Sequence, residues 1–326
     1  MKPRLAAVLA AAPVLALFLL ADLAAPARSA TPPPRDLEAN LVDELVVNGA
    51  PTGGPAWWTV SNGTSKVYIL GAPSGLPKGQ GWNTQRLEFR LKGANALILP
   101  PTARANPVKA LAFFLFNRKP FQSKGPMEDS LPPPLRARFV AARTSLGKAP
   151  DRYAKWKAGV AGLMIGRDFR DGLRISFKQP DDTITSLADR AGVPTRKVAS
   201  YDVLPLLKNM TTLSEAAHQA CLADSLTEIE AGRGRVLAAA AGWAKGDVHA
   251  ALTAERGFDR CIAQVPGMQG YIDRSIADTS AAIAGALGKP GKTIAVVPLR
   301  VLLAQGGVLD RLRARGLKVE TPASAS

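Results

Sequence analysis

The segment from Trp57 to Gly79 constrains the fold of this chain more than any other. Its centre is the turn sequence Ser61-Asn62-Gly63-Thr64, and β-prone residues stand on both sides of it. Asn-Gly between two such runs favours a type I′ hairpin, because both central residues of that turn need a positive φ. The second run leads into the loop Gly71-Ala72-Pro73-Ser74-Gly75. We therefore predict a β-hairpin whose second strand ends in a tight loop rich in glycine and proline.

This hairpin segment resembles the start of the TraB/GumN family, the bacterial relatives of the Tiki membrane proteases. In that family the second strand ends in a Gly-x-x-His motif. The positions that match are Trp58, Val60, Gly63, Ser65, Val67, Tyr68, Leu70 and Gly71. Ser74 stands where the family has its histidine. The resemblance thus implies the family's hairpin without its first metal ligand.

Further segments extend the resemblance over residues 56–321. They are the block Leu131–Ile165, the turn segment Trp243–Asp247, the helix around Arg274 and the C-terminal unit Gly307–Glu320. The resemblance implies an α/β fold with a mixed central sheet. In such a fold two strand-led halves bring their strand ends together, and a helical middle region between residues 131 and 287 covers the sheet.

Local patterns predict the individual elements. Helices are predicted over Thr84–Lys92, 135–145, Pro150–Leu163, Ser214–Ala240 and Tyr271–Leu287, and strands over Ala94–Leu99 and Lys292–Val297. The resemblance adds a strand at Val198–Asp202. Residues 108–116 are apolar without a clear period, so both strand and helix stay open there. The continuous apolar run Ala94–Leu99 suits a central parallel strand that is covered on both faces.

The positions that carry the family's metal chemistry hold other side chains in this sequence. They are Ser74, Pro100, Ser200 and Val301, and only Arg274 is retained. Valine and proline have no side-chain lone pair for a metal, and a serine hydroxyl is a poor ligand beside imidazole or carboxylate. The resemblance therefore implies a metalloprotease-like framework without its metal centre, in other words a pseudoenzyme. We expect neither a metal nor another cofactor.

The sequence gives little support for another metal site or a serine nucleophile in place of the family's metal centre. The only two histidines, His218 and His249, lie on separate helical segments, and we interpret each as a surface or helix-end residue. Ser74 lacks the Gly-x-Ser-x-Gly spacing of a nucleophile elbow. Asp202 is the carboxylate nearest to Ser200 and shares its face of the predicted strand. It is interpreted either as a shifted ligand or, in preference, as a surface cap for the next helix.

Four residues are candidates for ligand binding: Arg274, Arg300, Ser74 and Asp202. Two guanidinium groups facing the family's cleft would favour a carboxylate, a phosphate or an acidic sugar. In the alternative interpretation Arg300 points outward and Arg274 makes a structural ion pair with a nearby acid. The sequence does not decide between the two.

The first 30 residues are typical of a secretory signal peptide, with a basic start, an apolar run and a small-residue exit. The alternative is an uncleaved anchor that faces the periplasm, which the shortness of the run and Pro13 disfavour. Residues 31–55 are predicted to be an extended leader, residues 56–321 the TraB/GumN-like domain, and residues 322–326 a disordered tail. We therefore expect a periplasmic or secreted protein.

The chain is strongly basic, and this limits its partners. Its formal net charge is +16, and without the first 30 residues, which hold three basic residues and one acidic residue, it is +14. Such an excess attracts anionic partners over long range. For an exported protein these are an acidic polysaccharide, a lipid headgroup or a small carboxylate, and no nucleic acid is expected. A protein partner in the envelope and the oligomeric state both stay open.

Cys221 and Cys261 are the only cysteines. An even pair in an exported chain predicts a disulfide, and the alternative is two buried thiols.

Three functional hypotheses remain. The first is an exported, catalytically inactive relative of the family that binds an anionic ligand or an envelope partner in the family's cleft. The second is a divergent hydrolase or peptidase in which Asp202, Ser74 and Arg274 take new roles. The third is a binder of anionic polysaccharide or lipid linked to exopolysaccharide export, which is motivated by the charge and by the association of the GumN name with exopolysaccharide gene clusters.

Overall fold

The computed structural model describes residues 53–178, 180–254 and 256–322. The predicted signal peptide, nearly all of the predicted leader and residues 323–326 of the predicted tail lie outside these residues. The described residues belong to one compact unit. In this part no helix has the length and apolar character needed to cross a membrane.

The described residues form ten strands and twelve α-helices. The strands are β1 (Trp57–Ser61), β2 (Ser65–Ala72), β3 (Leu76–Pro77), β4 (Leu97–Leu99), β5 (Thr102–Arg104), β6 (Ile175–Ser176), β7 (Thr195–Lys197), β8 (Ser200–Asp202), β9 (Gly291–Pro298) and β10 (Lys318–Glu320). The helices are α1 (Gln85–Leu91), α2 (Pro107–Phe116), α3 (Pro133–Ser145), α4 (Ala158–Gly172), α5 (Asp181–Arg190), α6 (Leu204–Met210), α7 (Glu215–Lys245), α8 (Val248–Leu252), α9 (Gly257–Ala263), α10 (Met268–Ala286), α11 (Leu299–Leu303) and α12 (Val308–Ala314).

The main sheet has six strands in the order β10-β1-β2-β9-β4-β7. Strand β1 runs antiparallel to β10 and β2, whereas β2, β9, β4 and β7 are mutually parallel. Strand β9 comes from the C-terminal half but lies between two N-terminal strands, with Ala72 paired to Pro298 at the end of the β2–β9 ladder. The predicted mixed central sheet, built from two strand-led halves, is confirmed.

Side chains from the two faces of this sheet enter two separate cores. Trp58, Val60 and Ile69 point toward α10, α11 and α12 in one core. Trp57, Leu70 and their neighbours pack against α1, α5 and the end of α7 in the other. Because both faces are covered, the central strands are apolar almost throughout, as buried parallel strands are.

The hairpin is confirmed, but the predicted type I′ turn is wrong. Only Gly63 in the loop has a positive φ, of 98°. The loop has three residues, and the Asn62 side chain organises it: its Oδ1 accepts a hydrogen bond from the Ser65 amide at 3.0 Å. Its Nδ2 donates to the Leu287 carbonyl at 3.0 Å, at the end of α10. Asn62 therefore joins the hairpin to a distant helix instead of adopting a left-handed turn conformation.

The helical middle region has a third core, formed by α3, α4 and α7 around Phe139, Ile165 and Leu222. Helix α7, which has a kink at Gly232, covers the helix predicted over Ser214–Ala240. The segment 108–116, left open between strand and helix, is helical as α2.

The helix predicted over Pro150–Leu163 begins too early. Residues before Ala158 form turns, because Tyr153 is fully buried and donates a hydrogen bond to Asp168 Oδ2 at 2.6 Å. The Lys157 amide donates to the Phe121 carbonyl, which holds the chain in an extended conformation at that point. Tertiary contacts therefore override the helical preference of this stretch.

Cys221 of α7 and Cys261 of α9 form a disulfide, with their Cα atoms 4.2 Å apart. The predicted pairing is confirmed. Both residues are buried.

Candidate functional site at the carboxyl edge of the sheet

The carboxyl ends of the parallel strands gather the positions singled out in the sequence. Ser74 follows β2, Pro100 follows β4, Ser200 begins β8 just beyond β7, and Val301 lies in α11 directly after β9. Since parallel strands end at the same edge of a sheet, the four positions share one edge. This edge is where open α/β sheets usually bind ligands.

Apolar side chains fill the centre of this edge, between the ends of β2 and β9. A Cβ atom added to Gly71 would lie 2.5 Å from Leu299 Cδ1 and 2.9 Å from the Trp58 ring. The Trp243 indole donates a hydrogen bond to the Gly71 carbonyl at 2.7 Å, in a buried position. Val301 is half-buried and packs against the same core. The space between these two strand ends is therefore closed by packing.

A polar group of residues lies further along the edge, where β8 contacts α10. The Tyr201 hydroxyl donates to Asp278 Oδ2 at 2.7 Å, and the Tyr271 hydroxyl donates to the Asp202 carbonyl at 2.6 Å. The two rings meet edge to face with centroids 6.1 Å apart. Burial raises the pKa of Tyr201, as does its bond to Asp278, while the charge of Arg274 acts in the opposite direction. We call Tyr201, Tyr271 and Asp278 the tyrosine cluster.

Arg274 stands beside the tyrosine cluster on α10. Tyr271 precedes it by three residues and Asp278 follows it by four, so all three share one side of the helix. Arg274 is exposed, and within the described residues it makes no ion pair and no hydrogen bond. Among the residues that the structure describes, the ion pair of the alternative interpretation is not formed.

Arg300 is held differently. Its Nη2 donates to the carbonyl oxygens of Leu252 and Ala254, in the segment that follows α8. The guanidinium is half-buried, so the interpretation in which it points outward is also wrong. Arg300 thus connects α11 to the segment after α8, and these hydrogen bonds use part of the N–H groups of its guanidinium.

Asp202 and Ser74 do not join Arg274 in a hydrogen-bonded unit. Asp202 Oδ1 accepts a hydrogen bond from the Leu204 amide at 2.9 Å just before α6, although the residue at the N-cap position of this helix is Val203. Ser74 is exposed in a bend after β2. Within the described residues no hydrogen bond links any two of the three.

An open cleft of about 590 Å³ lies next to Asp202, between α2 and α6. Its walls combine the apolar side chains of Phe113, Phe116 and Leu204 with the ammonium groups of Lys109 and Lys208.

The comparison with known families gives one result. A family model described as the TraB/PrgY/gumN family matches residues 56–321. The chain belongs to the TraB/PrgY/gumN family. No curated protein and no solved structure gives a significant match.

The residues at the family's metal positions do not fit a metal ion. Ser74, Pro100, Ser200 and Val301 offer two hydroxyls and no imidazole or carboxylate, which is a poor donor set for a transition metal. In the described part of the chain, no three His, Cys, Asp or Glu side chains are grouped closely enough to hold one. We therefore derive no metal-dependent step for this TraB/PrgY/gumN protein.

Sequence reasoning missed the tyrosine cluster. A partial signal exists, because Tyr271, Arg274 and Asp278 follow helical spacing within α10. What the sequence does not show is that β8 places Tyr201 against that side of the helix.

His218 is a correction to the sequence interpretation. It lies in the first turn of α7, as the helix-end interpretation predicts, but it is not at the surface: it is 2 % exposed, packed against Gly159 of α4, and within the described residues both of its ring nitrogens are buried without a hydrogen-bond partner. Burial lowers the pKa of His218, Lys157 lowers it further, and Glu215 acts in the opposite direction. His249, on α8, is exposed as expected.

This geometry predicts that acid destabilises the protein through His218. The folded pKa lies below the unfolded value of about 6.5, so the unfolded state binds the proton first as the pH falls. The contribution of His218 to the free energy of unfolding is fully present above its pKa in the unfolded chain. It is lost as the pH falls through its pKa in the folded protein. Each pKa unit of difference between the folded and the unfolded state corresponds to about 1.4 kcal/mol of the free energy of unfolding. Urea unfolding at about pH 7.5 and about pH 5 should show a smaller difference for His218→Leu than for the wild type.

His249→Leu is the matched control, because it removes the other histidine of the chain from an exposed position. An equal effect of the two substitutions would contradict the assignment to His218.

Proposed function

We propose that this chain is a non-catalytic member of the TraB/PrgY/gumN family that acts in the cell envelope by binding an anionic ligand at the carboxyl edge of its sheet. The observation that carries the proposal is Arg274, whose exposed guanidinium has no ion pair within the described residues and stands beside the tyrosine cluster. A guanidinium without a protein partner has its full set of donors available for a carboxylate, a phosphate or an acidic sugar.

The surroundings of Arg274 support a positioned binding residue. The hydrogen bonds from Tyr201 to Asp278 and from Tyr271 to the Asp202 carbonyl hold α10 against β8 on the same side as Arg274. The Asp278 carboxylate, four residues after Arg274 on α10, already accepts a hydrogen bond from the Tyr201 hydroxyl. The excess of basic residues in the chain adds long-range attraction for anions.

The side chains at the family's metal positions support the absence of catalysis. Val301 packs into the core where a ligand histidine would stand, and Leu299 closes the space beside Gly71. A single substitution would not restore a metal site there, because hydrophobic packing now takes up the space.

Titration calorimetry with inorganic phosphate and with glucuronate tests the proposal. We expect at least one probe to bind, and Arg274→Gln to weaken that binding by about tenfold to a hundredfold, because a hydrogen bond to a charged group contributes about 1.5–3 kcal/mol. Arg315→Gln is the matched control, because Arg315 is also an exposed arginine without a partner in the described part of the chain.

Metal analysis of the dialysed protein provides a second arm. We expect less than one equivalent of any transition metal and no metal-dependent peptidase activity. A tightly bound ion at one equivalent per chain would overturn the non-catalytic part of the proposal. Binding of neither probe, or equal binding by both arginine variants, would overturn the part that concerns Arg274.

A further inference from the structure

Helix α2 presents an apolar face to solvent. Val108, Leu111, Leu115 and Phe116 are 74 %, 61 %, 60 % and 85 % exposed, and their spacing places them on one side of the helix. Isolated exposed apolar residues are common on protein surfaces, but a contiguous group of large ones marks a contact site. No element of the described structure covers this face.

Helix α2 is held in place by contacts that do not involve this exposed apolar face. Asn106 caps α2 by accepting hydrogen bonds from the Val108 and Lys109 amides at 3.0 Å and 3.1 Å. On the inner side, Phe113 is buried and meets the Phe121 ring edge to face, with centroids 6.1 Å apart. The helix is therefore held by its other side, and its outward apolar residues do not take part in folding it.

Charge around the helix is predominantly positive. Residues 102–127 contain five basic residues and no acidic one, and all five basic side chains are exposed: Arg104, Lys109, Arg118, Lys119 and Lys124. Lys208 of α6 lies across the cleft beside α2. Asp202 is the acidic residue in the lining of that cleft, and its carboxylate accepts a hydrogen bond from the Leu204 amide.

We propose that the α2 face docks on the surface of an anionic lipid bilayer. Val108, Leu111, Leu115 and Phe116 enter the boundary between headgroups and acyl chains, and the surrounding lysines and arginines contact the headgroups. An apolar helix face ringed by basic side chains is the combination that binds such an interface. This inference does not depend on the anion site at Arg274.

The same charges argue against the other occupants of the face. A second copy of the chain would bring two basic rims together, and like charges facing each other across an interface are unfavourable. A neutral apolar partner would offer no negative charges to the basic side chains around the face. A negatively charged bilayer satisfies both the apolar face and its basic surroundings.

Flotation of the purified full chain with lipid vesicles tests the proposal. Vesicles of phosphatidylcholine with phosphatidylglycerol should bind the protein, and this binding should weaken as salt is added, because screening reduces the attraction to the headgroups. Leu115→Ser/Phe116→Ser should lower vesicle affinity by at least about tenfold, because two large side chains leave the interface. Lys109→Glu/Lys119→Glu should lower it on the anionic vesicles only.

Phe89→Ser/Phe177→Ser is the matched control, because both side chains are large, apolar and exposed outside α2. It should bind vesicles as the wild type does. The apolar segment at residues 5–21 is common to all variants, so differences between them report on α2. Circular dichroism of each variant shows that the fold is kept.

Three results would overturn the proposal. They are equal vesicle binding by the wild type and Leu115→Ser/Phe116→Ser, equal binding to vesicles with and without phosphatidylglycerol, and a dimer in sedimentation that disappears in Leu115→Ser/Phe116→Ser. The last result would assign the α2 face to a second copy of the chain.

Discussion

Reduction of the Cys221–Cys261 disulfide is expected to lower the free energy of unfolding by about 4 kcal/mol. The bond closes a loop across 40 residues between α7 and α9. Opening it gives the unfolded chain more conformations, while the folded chain keeps both helices packed. Urea unfolding of the oxidised protein and of the protein in a reducing agent measures the difference.

A cysteine-free variant separates the bond from the reagent. Cys221→Ala/Cys261→Ala should unfold at a urea concentration close to that of the reduced wild type, and reducing agent should not change it further. A loss below about 1 kcal/mol on reduction would mean that the unfolded chain is restricted in some other way.

Gly162→Ala is expected to destabilise the protein by about 1–3 kcal/mol, although alanine normally favours a helix. Gly162 lies where α4 crosses α7, and an added Cβ atom would stand 2.8 Å from the Leu222 Cα atom and 3.2 Å from the Cys221 carbonyl oxygen. Both atoms belong to backbone and cannot rotate away as a side chain would. The two helices therefore have to separate, which loosens the core around Ile165 and Leu222. Urea unfolding of the variant gives the change directly.

Gly234→Ala provides the matched substitution with the opposite expected sign. Gly234 also lies in a helix, α7, two residues after its kink at Gly232, but an added Cβ atom would meet no atom within 4 Å. Alanine there should stabilise the protein by up to about 1 kcal/mol, which is its helix preference over glycine. Stabilisation by both substitutions would show that α4 and α7 tolerate a wider spacing than their backbone contact indicates.

The local signals in the sequence were reliable where neighbours along the chain decide the conformation. Asn62-Gly63 between two β-prone runs predicted the hairpin, although the side chain of Asn62, and not its backbone, closes the loop. The disulfide followed from there being two cysteines in a chain expected to be exported. In contrast, the helix start predicted at Pro150 failed because the burial of Tyr153 outweighs local preference.

The candidate site depended more heavily on contacts between distant segments. The resemblance to the family identified the positions Ser74, Pro100, Ser200 and Val301, and the parallel strands then placed all four at one edge. Val301 and Leu299 close the centre of this edge by packing against the core. The periodicity of apolar residues along the sequence does not predict this contact.

By itself, the sequence determined the hairpin and the pairing of the cysteines, because residue identity and short spacings carry that information. Its resemblance to the family added the framework and the absence of ligand side chains at the metal positions. Only the tertiary structure decided that, among the described residues, Arg274 makes no ion pair and His218 is buried without a hydrogen-bond partner, and that α2 turns an apolar face to solvent. Each of these depends on which distant segments pack together, and free energy summed over the whole chain selects that packing.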